Sequence, residues 1–145
     1  MRDIYIRTAT QSDLGLMLPL MEQLGYPATL CELEIRFERF TASPESCVAI
    51  ALKQEKIIGW VAWTESPLFV SDATRLRIEG LVVLEGYRSQ GIGQKLMSYV
   101  EERARTQSPC IIELTSGIQR TNSHAFYEKL GYSVGSEKVY FRKTV

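Results

Sequence analysis

One short turn of this sequence combines an arginine with two glycines, and these residue types at this spacing can bind an anion. Arg88, Gly91 and Gly93 lie between an apolar run at 81–84 and a segment with helical periodicity. A strand that ends here and continues as a helix leaves N–H groups of the first helical turn unpaired, at the positive end of the helix dipole. The glycines carry no Cβ, so a ligand can approach the backbone closely. The turn therefore predicts a site for phosphate or a similar anion.

Two common phosphate-binding loops fit this turn poorly. A Walker loop needs Gly-Lys followed by Ser or Thr, whereas Gln94 separates Gly93 from Lys95. A dinucleotide fingerprint needs a third glycine where this chain has Leu96, and it usually lies near the start of a βαβ unit. What remains is an arginine, two residues, a glycine, one residue and a second glycine.

The elements that must position the turn follow from the hydrophobic pattern. Apolar runs predict strands at 4–8, 47–52, 57–63, 76–84, 110–115 and 139–142. Helical spacing predicts one helix between Ser12-Asp13 and Gly25, with a kink or late start at Pro19, and further helices at 30–40, 91–105 and 123–130. The order β-α-α-β-β-β-α-β-α-β predicts an α/β fold, with a mixed, mostly antiparallel sheet between helices.

The composition predicts one domain, 1–145, in the cytoplasm. The 17 Lys and Arg balance the 17 Asp and Glu, which argues against nucleic acid or a membrane surface as a partner. No apolar run approaches the ~20 residues of a membrane span, and the N-terminus lacks a signal-peptide core. Cys31, Cys47 and Cys110 are scattered among mostly apolar neighbours and predict buried free thiols. A single histidine, His124, argues against a metal site.

A second motif makes the interpretation specific. Residues 124–132 contain Tyr127, three further residues, Gly131 and the aromatic Tyr132. With this motif, the turn and the order of elements, the chain resembles the GNAT superfamily of N-acetyltransferases over nearly its whole length. The resemblance implies a GNAT-like fold and an acetyl-coenzyme A-dependent enzyme that acetylates a primary amine of a small molecule or a protein. It implies no metal and leaves a homodimer open.

The resemblance also implies which residues contact acetyl-coenzyme A. They are Leu81, Val82, Val83, Arg88, Ser89, Gln90, Gly91, Ile92, Gly93, Gln94, Arg120, Asn122 and Tyr127. Backbone N–H groups at 81–83 would polarise the thioester carbonyl, provided that this strand separates from 111–115. Two positions depart from the family pattern. Ser89 replaces a glycine, and Arg120 stands where asparagine is frequent, so Arg120 or Asn122 contacts coenzyme A, or Arg120 faces an acidic substrate group.

Two residues are expected to move protons. Glu79 lies two residues before Leu81 and is the candidate base, acting directly or through water; a solvent-facing or ion-paired glutamate is the alternative. Tyr127 is the candidate acid for the coenzyme A thiolate, with simple packing as its alternative. His124, one helical turn before Tyr127, is expected to be structural. Because neither motif contains a cysteine, we expect direct transfer in a ternary complex.

The acceptor and the class of function are less closely defined. The resemblance places the acceptor near the loops 25–32 and 66–74. These loops carry Tyr26, Leu68, Phe69 and Asp72, which suggests a partly apolar pocket. A non-catalytic acyl-coenzyme A sensor or partner-binding module is the alternative function, and the pairing of Glu79 with Tyr127 argues against it.

Overall fold

The computed structural model describes residues 3–116, 121–135 and 139–145. The chain forms two compact units, Met1–Leu114 and Thr115–Val145. The strands are β1 (Ile4–Thr8), β2 (Ser46–Lys53), β3 (Lys56–Pro67), β4 (Thr74–Val83) and β5 (Cys110–Glu113). The helices are α1 (Leu14–Leu24), α2 (Leu30–Thr41) and α3 (Ile92–Arg105) in the first unit and α4 (Thr121–Lys129) in the second.

The strands form one sheet in the order β1-β2-β3-β4-β5. Neighbours from β1 to β4 are antiparallel, whereas β4 and β5 are parallel. A parallel pair needs a long crossover connection, and α3 supplies it. The predicted mixed, mostly antiparallel sheet is confirmed. The crossover places the turn at the end of β4, where α3 begins.

Helices pack on both faces of this sheet. On one face, α1 and α2 contribute Leu14, Leu20 and Leu33 to a buried cluster. Most of the strand side chains in that cluster alternate along their strands; they are Val48, Ile50, Leu52, Ile57, Trp60, Ala62 and Val82. On the other face, α3 buries Ile92, Leu96, Met97 and Val100. Burial of both helical layers holds the ends of β4 and α3 in place.

Gly59 lets α3 lie close to the sheet. A Cβ on Gly59 would lie 3.2 Å from Cδ1 of Leu96 and 3.0 Å from the carbonyl oxygen of Val82. Both distances are shorter than the optimal separation of about 3.5–4.0 Å between carbon atoms. A larger residue would therefore push α3 away from β3 and move the turn that precedes it.

The first helix begins after a 3-10 turn at Gln11–Asp13, and Pro19 lies inside it. Its predicted stop at Gly25 is confirmed. Gly25 has φ +99°, its N–H donates to the carbonyl of Glu22 at 3.0 Å, and the N–H of Tyr26 donates to that of Met21 at 3.0 Å. This arrangement is a Schellman cap, which fixes the last turn of α1.

The second unit differs from the prediction in one element. Gly131, with φ +97°, ends α4 as predicted, and the N–H of Tyr132 donates to the carbonyl of Tyr127 at 3.0 Å. The predicted strand at 139–142 is wrong: residues 139–145 form no strand with any described residue. Tyr140 and Phe141 are 76% and 89% exposed. An apolar run favours an extended chain, but a strand also needs a neighbouring strand with which to pair.

Candidate active site

The pairing between β4 and β5 covers only the first part of β4. It runs from Thr74 opposite Cys110 to Arg77 opposite Glu113. Beyond Arg77, no strand among the described residues pairs with this side of β4. The predicted separation of these strands is thus present in the described part of the chain, and it leaves one side of the later β4 residues open.

The orientation of the β4 backbone shows which groups face the open side. The N–H of Leu84 donates to the carbonyl of Ile58 at 2.8 Å, so the groups of residue 84 point toward β3. Because alternate residues point the same way, Val82 also faces β3, where it lies opposite Trp60. The backbone groups of Leu81 and Val83 therefore face the open side. Of the three strand residues expected to contact the thioester, only these two point their N–H groups to the open side.

Glu79, the candidate base, lies in a β-bulge. Ala62 is opposite Gly80 and Trp63 is opposite Ile78, so Glu79 has no partner on β3. A bulge changes the direction of a side chain relative to the regular strand. The Glu79 side chain is exposed, and its Oε1 accepts a bond of 3.4 Å from Oγ1 of Thr64. An exposed carboxylate two residues from Leu81 is accessible to an incoming amine or to water.

Gly80 makes room for a tryptophan beside this bulge. A Cβ on Gly80 would lie 2.8 Å from Cη2 of Trp60 and 4.0 Å from Cδ2 of Leu24. Trp60 is buried in the cluster under α1 and α2. The backbone next to Glu79 is therefore held between β3 and the last turn of α1.

The turn itself has the geometry of an anion site. The N–H of Tyr87 donates to the carbonyl of Leu84 at 3.0 Å, with Gly86 at φ +93°, as a type II turn requires. Ser89 and Gly91 also have positive φ, +64° and +79°. The first helical bond of α3 joins the N–H of Lys95 to the carbonyl of Gly91.

The position of this first helical bond shows which N–H groups at the start of α3 have no acceptor within the helix. Ile92, Gly93 and Gln94 precede the first helical bond, and no described residue accepts from their N–H groups. Three donors at the positive end of a 14-residue helix have the chemistry that suits a phosphate group. No described atom lies within 4 Å of the position of a Cβ on Gly91, so the backbone there is open.

Two lysines near the turn were not apparent from the sequence. Nζ of Lys53 and Nζ of Lys56 lie 5.9 Å and 5.3 Å from the centre of the Tyr87 ring. These lysines flank the β2–β3 turn, more than 30 residues before Tyr87, so only the fold brings them together. With the exposed Arg88 and Lys95, they make the region of the turn positive in a chain of zero net charge.

A groove of about 1090 Å³ adjoins the turn on the α3 side of the sheet. Gln90, Gly91 and Gln94 line one end of it. Ile6 of β1, Trp63 of β3 and further residues of α3 line the rest. The turn is therefore open to solvent from this side as well.

Tyr127 lies on α4 in the second unit. Its half-buried ring packs edge to face with Phe126 and Tyr132, with ring centres 5.0 Å and 6.0 Å apart. Asn122 is exposed and His124 is half-buried. Arg120 lies outside the described residues. The second motif thus forms an aromatic cluster that contains the candidate acid.

The cysteines are free, but they are less buried than expected. Cys31 is exposed, because it lies on the outer face of α2, and Cys47 and Cys110 are half-buried. Burial raises the pKa of the Cys47 and Cys110 thiols above the ordinary value of 9.0. These two thiols are therefore poor nucleophiles at neutral pH.

A match to a protein family profile identifies the family of this chain. The profile described as Acetyltransferase (GNAT) family matches residues 16–132. The chain belongs to this GNAT acetyltransferase family. The match begins in α1, includes β4 with the turn and α3, and ends at Tyr132 in the second motif.

Two N-acetyltransferases are similar to this GNAT chain over most of its length. One is an uncharacterized N-acetyltransferase of Bacillus subtilis (strain 168), 30% identical over 130 residues, which cover 88% of each protein. The other is the aminoalkylphosphonate N-acetyltransferase of Salmonella typhimurium (strain LT2). It is 29% identical over 116 residues, which cover 72% of this chain and 75% of the relative.

A solved structure shares the GNAT fold. The crystal structure of a GNAT family acetyltransferase from Staphylococcus aureus superimposes with a TM-score of 0.81 and 26% identity, covering 99% of both chains. This similarity confirms the GNAT-like fold that the sequence predicted.

The protein is therefore an acyltransferase of the GNAT family, whose members generally use acetyl-coenzyme A and act on amines. None of the helices in the described ranges is long and apolar enough to span a membrane. Among the described residues, no group of three or more His, Cys, Asp or Glu side chains could hold a metal ion.

Proposed function

We propose that this acetyltransferase transfers the acetyl group of acetyl-coenzyme A directly to a primary amine while both substrates are bound. One observation carries the proposal: backbone donors that no described residue pairs extend from Leu81 and Val83 to residues 92–94. In this proposal the whole chain, 1–145, acts as one catalytic domain in the cytoplasm.

The order of these donors suits the chemistry of coenzyme A. Leu81 offers an N–H and a carbonyl, and Val83 offers an N–H. The Leu81 carbonyl and one of the N–H groups can pair with the amides of a pantetheine arm as a further strand would, and the other N–H remains for the thioester. The turn follows within ten residues and suits the pyrophosphate. Arg88 and Lys95 add positive charge at that end.

Each step of the transfer has a candidate group. Acetyl-coenzyme A supplies the acetyl group as a thioester. An N–H of β4, from Leu81 or Val83, would stabilise the negative charge that develops on the thioester oxygen. Glu79 would take a proton from the attacking amine, because an ammonium has no lone pair. Tyr127 would give a proton to the departing thiolate.

The acceptor is proposed to be a small primary amine with an anionic group. The Salmonella relative is named for aminoalkylphosphonates, which combine an amine with a phosphonate. The candidate base Glu79 is exposed, and Phe69, on the 68–73 loop that joins β3 to β4, is fully exposed. Arg120 is the residue proposed to face the acidic group of the acceptor.

A thiol-release assay tests the function. Acetyl-coenzyme A is mixed with the protein and single amines: an aminoalkylphosphonate, a polyamine, an aminoglycoside and a lysine peptide. Free thiol and the acetylated product are measured. We expect turnover with a small amine, and for Glu79→Gln a loss of about 10²–10⁴ in rate at unchanged coenzyme A affinity. Glu55→Gln, an exposed glutamate in the β2–β3 turn, is the matched control.

The outcomes separate the two classes of function. Tight coenzyme A binding without thiol release for any amine would favour the sensor. A protein that binds no coenzyme A would refute both. Wild-type rates in Glu79→Gln would show that Glu79 is not the base and would leave the proposed acetyl transfer standing.

A further inference from the structure

Gln23, in the last turn of α1, bridges the end of β4 and the start of the turn. Its Nε2 donates to the carbonyl oxygen of Val83 at 2.7 Å, and its Oε1 accepts from the N–H of Glu85 at 2.7 Å. The side chain is half-buried. These bonds join residues that are 60 and 62 positions apart in the sequence.

These two bonds have the pattern that a neighbouring parallel strand would make with β4. In a parallel ladder, one residue donates to the carbonyl before its opposite residue and accepts from the N–H after it. The Gln23 amide does this around Leu84, whose own N–H points toward β3. It therefore occupies the side of β4 on which β5 pairs further back. The side-chain amide of Gln23 therefore takes the place of one residue of a parallel strand, at a position where β5 does not pair.

This bridge sets where the open edge of β4 ends. With the Val83 carbonyl occupied, the groups left on that edge are the N–H and carbonyl of Leu81 and the N–H of Val83. The Glu85 N–H is held one residue before Gly86, where the backbone turns toward α3. The same side chain thus fixes the last open donor and the entry to the turn.

The helix that carries Gln23 is itself firmly held. The Schellman cap at Gly25 fixes its last turn, and Leu20 is 1% exposed. Leu24, the next residue, packs against the buried cluster and faces Gly80. Gln23 is therefore presented to β4 from a rigid position.

We propose that Gln23 is a positioning residue for the donor site: it holds the end of β4 and the turn in one register and connects them to α1. The glutamine amide combines a donor and an acceptor at this length; ionised glutamate lacks the donor, and asparagine is one methylene shorter. The inference rests on the proposed function, since it assigns Gln23 to the acetyl-coenzyme A site.

Two variants test the proposal, with one matched control. Gln23→Met keeps the length of the side chain and removes both bonds. Gln23→Glu keeps an acceptor for Glu85 but places a carboxylate against the Val83 carbonyl. Glu22→Gln changes the exposed neighbour on the same helical turn. Measurements are coenzyme A affinity by calorimetry, KM and kcat for acetyl-coenzyme A, and hydrogen exchange of the Glu85 amide.

We expect both Gln23 variants to weaken coenzyme A binding and to raise KM at least fivefold, with Glu22→Gln unchanged. The Glu85 amide should exchange faster in Gln23→Met than in Gln23→Glu. A purely structural role would reduce the amount of folded enzyme and its apparent kcat without changing KM.

Unchanged affinity and KM in both variants of a coenzyme A-binding wild type would overturn the positioning role and leave the proposed function standing. A wild type that binds no coenzyme A would instead refute the proposed function. In that case the Glu85 exchange still decides whether Gln23 holds the turn, and unchanged exchange in Gln23→Met would overturn it.

Discussion

At Ser89 the backbone has φ +64°, in the left-handed region. A residue with a Cβ pays a steric penalty of about 1–2 kcal/mol there. The sequence identified Ser89 as a departure from a family glycine, and this φ is the physical reason for that glycine. The hydroxyl remains a candidate donor to phosphate, so strain and binding act in opposite directions at this residue.

Ser89→Gly should raise the free energy of unfolding by up to about 1 kcal/mol, because it removes the strain but makes the unfolded chain more flexible. Urea unfolding measures this change. Ser89→Ala keeps the strained φ and, like Ser89→Gly, lacks the hydroxyl. If the hydroxyl binds phosphate, the two variants should lose coenzyme A affinity to the same extent. A less stable Ser89→Gly protein would contradict the argument from φ.

Tyr127 is a second residue at which two roles can be separated. Its ring contacts with Phe126 and Tyr132 do not need the hydroxyl. Tyr127→Phe should therefore keep the fold of its unit and lower kcat by about 10² or somewhat less, the low end for positioned proton transfer. Steady-state kinetics with both substrates measures this. A fully active Tyr127→Phe enzyme would assign the tyrosine to packing alone.

Among the elements, β4 is the one whose backbone position depends most on the side chains packed against it. Gly80→Ala would place a Cβ 2.8 Å from Cη2 of the buried Trp60, beside the bulge at Glu79. Overpacking of this kind typically costs 1–3 kcal/mol. We expect a loss of about 1–3 kcal/mol in unfolding free energy, with a lower rate because Glu79 is displaced.

Gly15→Ala is the matched control for Gly80→Ala. Gly15 lies in α1 with no described atom within 4 Å of its Cβ position. Alanine is a better helix former than glycine by about 1 kcal/mol, so this variant should be as stable as wild type or more so. Equal destabilisation by both variants would show that the loss at Gly80 does not come from Trp60.

Elements set by local pattern were predictable, whereas features set by pairing were not. The β1 bounds, the stop at Gly25 and the glycines of the turn follow from periodicity and turn chemistry. The bulge at Glu79 depends on the register between β3 and β4, and no sequence pattern marks it. Gln23 bonds to Val83, 60 residues later in the sequence, so no local pattern distinguishes it from other polar residues of an amphipathic helix.

The terminal strand shows the converse error. Residues 139–142 contain an apolar run that favours a strand, yet strand formation also depends on a partner strand that the run cannot supply. Residue types alone were enough to predict an anion site at the turn, and this stays a prediction. The choice of Leu81 and Val83 over Val82 needed the register with β3.

For the whole molecule, equal numbers of acidic and basic residues leave the electrostatic part of its stability to local pairs. Asp13 and Glu65 are the buried carboxylates in the described part of the chain. Each lies beside an arginine, Arg7 at 2.8 Å and Arg103 at 3.1 Å. The first pair connects β1 to the 3-10 turn before α1, and the second connects β3 to α3.

Asp13 makes the stability of the fold depend on pH. Both its carboxylate oxygens accept from Arg7 at 2.8 Å, and Oδ2 also accepts from the N–H of Thr10 at 2.7 Å. Mainly through the bonds from Arg7, the pKa of Asp13 falls from its ordinary value of 3.8 to about 2. The folded protein therefore takes up this proton less readily than the unfolded chain, so the stabilisation is complete above about pH 4 and is lost as the pH falls toward 2.

The matched variant Asp13→Asn has nearly the same shape and no titrating group at this position. A pKa lowered to about 2 corresponds to about 2 kcal/mol of stability at neutral pH. Urea unfolding of both proteins at pH 7 and at about pH 2 measures it, and the contributions of all other carboxylates cancel in the difference. We expect wild type to be more stable by about 2 kcal/mol at pH 7, and most of this difference to disappear at pH 2. A difference that stays constant across this range would show that the ionisation of Asp13 is not what stabilises the fold.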